Sequence, residues 1–180
     1  MELTLEMVNN TVRPSFEKNI VYVDKYLKGK GLDMGCGSCP LMKLNCLHID
    51  ISPQPIAVEQ IGLNFIHADV TKIDFPKGLF DYIFSSHMVE DLPNRDEMIL
   101  CLNRWSEFLK IGGYIVLLIP DMQGGRYPTV EQGGNCSHKT NVGRPFFEGL
   151  VDFLSLEIVQ IDTLPHESSE TMDIVLRRVE

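Results

Sequence analysis

The hydrophobic pattern of the chain changes at Gly31. Before it, Phe16, Ile20, Val23, Tyr26 and Leu27 recur at helical spacing behind Ser15, which predicts a helix capped by Ser15 and stopped by Gly29 and Gly31. After it come short apolar runs that end in polar or small residues: Gly31–Met34, Cys46–Ile49, Leu63–His67, Phe80–Phe84 and Tyr114–Ile119. These read as strands, and their lack of clean alternation predicts a parallel sheet covered by helices on both faces. Between the fourth and fifth runs, Met98, Ile99, Leu102, Trp105, Phe108 and Leu109 form a helical stripe over 94–110, opened by Asn94 and closed by Gly112-Gly113. Its spacing places Trp105 and Cys101 in the core. A polar stretch follows Pro120, then a predicted helix over 145–154 and two alternating runs, Leu156–Ile161 and Met172–Leu176. The order predicts an α/β fold, a doubly wound, mostly parallel sheet with a C-terminal antiparallel hairpin.

Composition narrows the class without changing this picture. With 180 residues and 44% hydrophobic content the chain can bury a core without staples, and the length suits one domain over 1–180 with an N-terminal helical segment at 1–28. A formal charge of −9 repels polyphosphate, which argues against nucleic acid as the main partner. Five cysteines in no regular framework fit a reducing cytoplasm, and no leader pattern or membrane-length apolar run is visible.

Chemistry concentrates at Gly31-Leu-Asp-Met-Gly-Cys-Gly-Ser-Cys-Pro40, which supports two readings. Cys36 and Cys39 have the spacing of a redox pair, or of half a zinc site completed by Cys46 and His48. Alternatively, Asp33, Gly35 and Gly37 form a glycine turn at a strand end, where parallel sheets bind cofactors. The next two strand tips support the second reading. Asp50 ends the second run, where a carboxylate can accept both ribose hydroxyls with Ile51 against a base; Asp69 ends the third, placed to accept from an exocyclic amine beside Val70. A closed zinc site needs four ligands on a flexible knuckle, whereas Cys46 and His48 are alternate residues of a buried strand, and Cys36 and Cys39 read as small packing residues around a tight turn, so no residue is assigned to a metal.

Together with Phe80-Asp-Tyr-Ile-Phe-Ser-Ser-His-Met-Val-Glu90 and Leu109-Lys-Ile-Gly-Gly-Tyr-Ile-Val-Leu-Leu-Ile-Pro-Asp121, these motifs resemble the class I S-adenosylmethionine-dependent methyltransferases over about Gly31 to Asp121. The resemblance implies a Rossmann-like seven-stranded fold and S-adenosylmethionine as cofactor. Gly35, Cys36 and Gly37 would cradle its methionine part, Asp50 would hold the ribose, Asp69 and Val70 would frame the adenine, and Ser85 to His87 would border the sulfonium. Asp33 in this family usually serves both strand and ligand. Two departures stand out: Cys39 replaces a third glycine, and the segment after Gly37, with Pro40 in it, is too short for a full helix. Similar shortened forms occur among the type 11 methyltransferases. The implied activity is methyl transfer to a small or carrier-linked acceptor, with a cofactor-binding protein that does not turn over as the alternative. The loop at 122–143, with four glycines before Asn141 and Cys136-Ser-His-Lys-Thr140, is expected to govern the substrate. His138 and His87 are the candidate bases. Glu90 reads equally as substrate-orienting or as a solvated helix start, Asp81 as strand geometry, and His166 as a solvent-facing turn residue.

Overall fold

A computed structural model describes residues 20–37, 39–52, 62–161 and 170–180. The predicted cap at Ser15, the start of the first helix and His166 lie outside these residues. The end of that helix is seen at 20–23, where it tightens into a 3-10 turn at Asp24–Tyr26.

Seven strands form one sheet: β1 (Gly31–Met34), β2 (Cys46–Asp50), β3 (Asn64–His67), β4 (Phe80–Ser86), β5 (Leu109–Pro120), β6 (Leu156–Ile161) and β7 (Thr171–Arg178). Their order is β3-β2-β1-β4-β5-β7-β6. The first five pair in parallel, and β7 runs antiparallel between β5 and β6. The order reverses between β1 and β4, the place where open α/β sheets hold ligands beyond their strand ends.

One face of the sheet carries Leu32, Met34, Ile49, Ile83, Ile115 and Leu117, packed under α1 (Arg95–Phe108) and α2 (Arg144–Leu150). Helix α1 starts where its sequence says: the Asn94 side chain accepts from the Glu97 amide at 3.0 Å. Trp105 is fully buried and its indole N–H donates to the Val70 carbonyl at 3.1 Å, which ties the helix to the chain leaving β3. The helix does not run to Gly112-Gly113. It ends at Phe108, and the chain enters β5 at Leu109; Gly112, at φ 82°, lies inside that strand's irregular first half, where pairing with β4 slips between Phe80 and Tyr82. A left-handed glycine ends a helix or makes a bulge equally well, and the sequence does not separate the two.

The opposite face is covered by chain rather than by a full crossover helix after β1. Val23 and Leu27 from the N-terminal side and Leu41 from the short segment before β2 pack on Tyr82, Phe84, Val116 and Leu118. The shortening read from Pro40 is therefore filled by Leu41.

Candidate active site

The turn after β1 is built by backbone economy. Gly35 and Cys36 donate their amides to the Ile49 carbonyl at 2.8 and 3.2 Å, and Gly37 donates to Asp50 Oδ2 at 2.8 Å. These three amides thus face β2, and do not cradle a ligand as donors. The two glycines also have different reasons. A Cβ on Gly35, at φ 76°, would meet Met88 Cγ at 2.5 Å, whereas one on Gly37, at φ 51°, would meet nothing within 4 Å. Gly35 is required by packing, and Gly37 borders open space.

Asp33 is buried and points away from that space. Its Oδ2 accepts from the Leu41 amide at 2.7 Å and lies 3.0 Å from His48 Nδ1, so it fastens the short segment to β2. Asp50, at the tip of β2, also accepts from the Ser52 amide at 2.7 Å through Oδ1. A carboxylate has about four lone-pair sites, so two remain for ribose hydroxyls. Ile51 beside it is 68% exposed, available to lie against a base.

Asp69 is committed otherwise. Its Oδ1 accepts from the Thr71 amide and hydroxyl at 2.9 and 2.6 Å, and Lys72 lies 2.9 Å from Oδ2. The Thr71 hydroxyl, then Lys72, hold its carboxyl down to a pKa of about 2. Val70 is buried. Ser85 is buried too, its hydroxyl donating to the Met34 carbonyl at 2.8 Å; it ties β4 to β1 rather than presenting a group to a ligand.

The Cys36 and Cys46 thiols are poor nucleophiles. Burial, followed by the Asp33 carboxylate, pushes the Cys36 and Cys46 thiols well above the ordinary range. Among the described residues, Cys36, Cys39, Cys46 and His48 form no group of ligand atoms close enough for one ion.

Beyond β4 the structure assembles what the sequence kept apart. His87 has φ 52°, the one positive φ outside glycine among the described residues, and its amide donates to the Leu118 carbonyl at 2.8 Å. A 3-10 turn over Val89–Asp91 follows, and its three-residue period brings Glu90 back beside His87. His87 Nδ1 lies 3.3 Å from Glu90 Oε1, and His138 Nε2 lies 3.6 Å from the same oxygen. His138 arrives on the 122–143 loop, which is ordered rather than slack. Met122 and Gln123 amides meet the Val142 carbonyl, Asp121 holds Gly124 and Arg126, and the amides of Lys139 and Thr140 donate to the Glu90 carbonyl at 2.9 and 3.2 Å. Glu90 is wholly buried, not a solvated helix start. Next to it, burial and then the Glu90 charge raise the Asp91 carboxyl. Met88, packed on Gly35, puts this cluster directly beside the glycine turn.

Residues 32–117 match the model of a family described as a methyltransferase domain. Those residues are just under half of the chain, and over them it is similar to that family. Several solved structures share its fold. A SAM-dependent methyltransferase from Archaeoglobus fulgidus is 18% identical over 90% of this chain and 92% of its own, with a TM-score of 0.72. The 1,6-didemethyltoxoflavin-N1-methyltransferase of Burkholderia thailandensis, with that substrate and S-adenosylhomocysteine bound, is 13% identical over 93% of this chain and 79% of its own, at 0.71. N-methyltransferase NodS of Bradyrhizobium japonicum, in complex with S-adenosylhomocysteine, is 16% identical over 96% and 91%, at 0.69. No curated protein sequence matches this chain significantly. The residues present fit S-adenosylmethionine, the cofactor that the sequence resemblance implies: an acid at the β2 tip with lone pairs to spare, and a glycine bordering open space at the reversal of strand order.

Proposed function

We propose that this enzyme methylates a small or carrier-linked acceptor at the β1–β4 switch point, as a single 1–180 domain in the cytoplasm, with the 122–143 loop selecting the acceptor. The observation that carries this reading is the bond from Gly37 to Asp50, which joins the glycine turn to the acidic tip of β2. S-adenosylmethionine supplies a methyl carbon on a positively charged sulfur that is already a good leaving centre. Asp50 would hold its ribose, Ile51 and Val70 would pack its base, and Gly37 would admit it closely; Asp69, with both oxygens engaged, serves chiefly to fix the adjacent backbone.

What remains for the protein is alignment and exclusion of water. His87 is about one-third exposed and faces the Glu90 carboxylate, so it can take a proton from the acceptor with its resulting charge balanced. His138, the other candidate base, is buried, with Nε2 3.6 Å from the same Glu90 oxygen. Two similar proteins are named as N-methyltransferases, which makes amines the first acceptors to try. The net charge of −9 supports a small molecule over nucleic acid. No helix among the described residues is long and apolar enough to cross a membrane.

Titration calorimetry with S-adenosylmethionine and S-adenosylhomocysteine tests the site. Asp50→Ala should weaken binding by about 1.5–3 kcal/mol, the range for hydrogen bonds to a charged group. Unchanged affinity would move the ribose elsewhere. Release of S-adenosylhomocysteine with an acceptor panel tests turnover.

A further inference from the structure

The buried carboxylate of Glu90 poses a problem that hydrogen bonding does not solve. Neither of its oxygens has a hydrogen-bond partner, although the side chain is fully buried. Both histidines are near Oε1, but neither meets it in hydrogen-bond geometry. Nδ1 of His138, on a ring 3% exposed, is also without a partner. An uncompensated buried carboxylate is expensive, so a charge of opposite sign belongs beside it.

We propose that His87, Glu90 and His138 bind a divalent first-row transition-metal ion. One ligand atom from each lies within 4.8 Å of the other two. Metal bonds of about 2.0–2.2 Å place tetrahedral ligands roughly 3.3–3.6 Å apart. The separations from Glu90 Oε1, 3.3 Å to His87 and 3.6 Å to His138, match those edges. Two imidazoles and one carboxylate favour zinc, iron or nickel over magnesium or calcium, which prefer all-oxygen shells. An outer partner is in place as well. His87 Nε2 lies 3.2 Å from Thr171 Oγ1, and a proton held there leaves Nδ1 as the lone pair that faces Glu90.

The local backbone is shaped for this purpose. The left-handed φ of His87, the 3-10 turn and the two loop amides on the Glu90 carbonyl together hold three side chains from two separate segments around one point. Three protein ligands leave a coordination position open. This inference deepens the proposed methyl transfer and rests on it for its purpose. An acceptor hydroxyl or amine at the open position would lose its proton to solvent, and its lone pair would form the bond to the methyl carbon as the carbon–sulfur bond breaks and leaves its electrons on sulfur. In metal-free protein His87 takes the proton instead.

The test is binding of the metal alone. Chelator-treated full-length protein is titrated with zinc chloride by calorimetry and with cobalt chloride by visible absorption. The expected result is one equivalent, with the ligand-field bands of low-coordinate cobalt, and no comparable binding of magnesium. Glu90→Gln and His138→Ala should each weaken zinc binding by more than about a hundredfold, beyond the usual effect of outer-shell changes. A Cys36→Ser, Cys39→Ser double variant should bind zinc as the parent does. Circular dichroism checks folding, and His138→Ala serves if Glu90→Gln fails to fold. No stoichiometric binding, or binding that survives both variants, overturns the metal site. Cofactor affinity, measured separately on the same samples, distinguishes failure of this site from failure of the methyltransferase reading.

Discussion

Alanine at each glycine of the turn should produce two different defects. At Gly37 a Cβ meets nothing, so the folded state bears only the left-handed backbone penalty at φ 51°, about 1–2 kcal/mol. At Gly35 the same penalty at φ 76° is joined by a Cβ that lies 2.5 Å from Met88 Cγ and 2.9 Å from Met88 Cβ. Overpacking of this kind typically costs about 1–3 kcal/mol, giving about 2–5 kcal/mol in all. For a domain of this size each kcal/mol lowers Tm by about 2–4 °C, so thermal unfolding should resolve the two variants. Cofactor titration should rank them in the other direction per unit of stability lost. Gly37→Ala fills the open space in front of the turn and should weaken binding of S-adenosylhomocysteine by about tenfold or more, the loss of roughly 1.4 kcal/mol. Met88→Ala in the Gly35→Ala background removes the Cγ clash but keeps the Cβ contact at 2.9 Å, so it should recover part of the steric cost and leave the backbone part, a coupling of about 0.5–3 kcal/mol by double-mutant cycle. If Gly35→Ala proves no more destabilising than Gly37→Ala, or if Met88→Ala recovers nothing, the packing argument is wrong.

Ser85→Ala should lower stability by about 1–3 kcal/mol through the lost bond to the Met34 carbonyl, while cofactor affinity measured by calorimetry stays unchanged. Asp69, lowered from 3.8 to about 2, favours the folded state fully above pH 4 and loses that contribution as pH falls toward 2. Thr71→Val should bring its carboxyl titration back toward 3.8, read by NMR, and narrow the difference in stability between pH 7 and pH 2. Ellman's reagent at pH 8 should modify exposed Cys136 quickly, but Cys36, Cys46 and Cys101, whose thiol is raised to about 12 by burial, only after unfolding.

Local signals carried most of the fold. The apolar runs become β1–β4 and β6 with boundaries moved by at most two residues, and Asn94 caps α1 as its residue type suggests. β5 is longer than its apolar core because Leu109 already pairs with Phe80 of β4, and Lys110 to Gly113 form the irregularity between that pair and Tyr82–Tyr114. At the site, the acid at the β2 tip was legible because it follows the glycine turn at a spacing set by topology. The true burden of Ser85 and the amides of Gly35 and Cys36 was not, since a hydroxyl or amide does not announce its partner. Glu90 was undervalued for a similar reason: its burial comes from a loop almost fifty residues downstream that closes over it. The spacing His87-x-x-Glu90, read at the 3-10 period, was the available clue.

The position of β7 also governs how the molecule comes to be. The strand reached last along the chain lies sixth in the sheet, wedged between two earlier ones. Until it emerges from the ribosome, the apolar flank of Leu117, Leu118 and Ile119 stands as an unzipped edge, ready to pair with another nascent copy. Expression yield should therefore respond to translation speed and chaperone supply while β7 is being made more than to any change in the glycine turn.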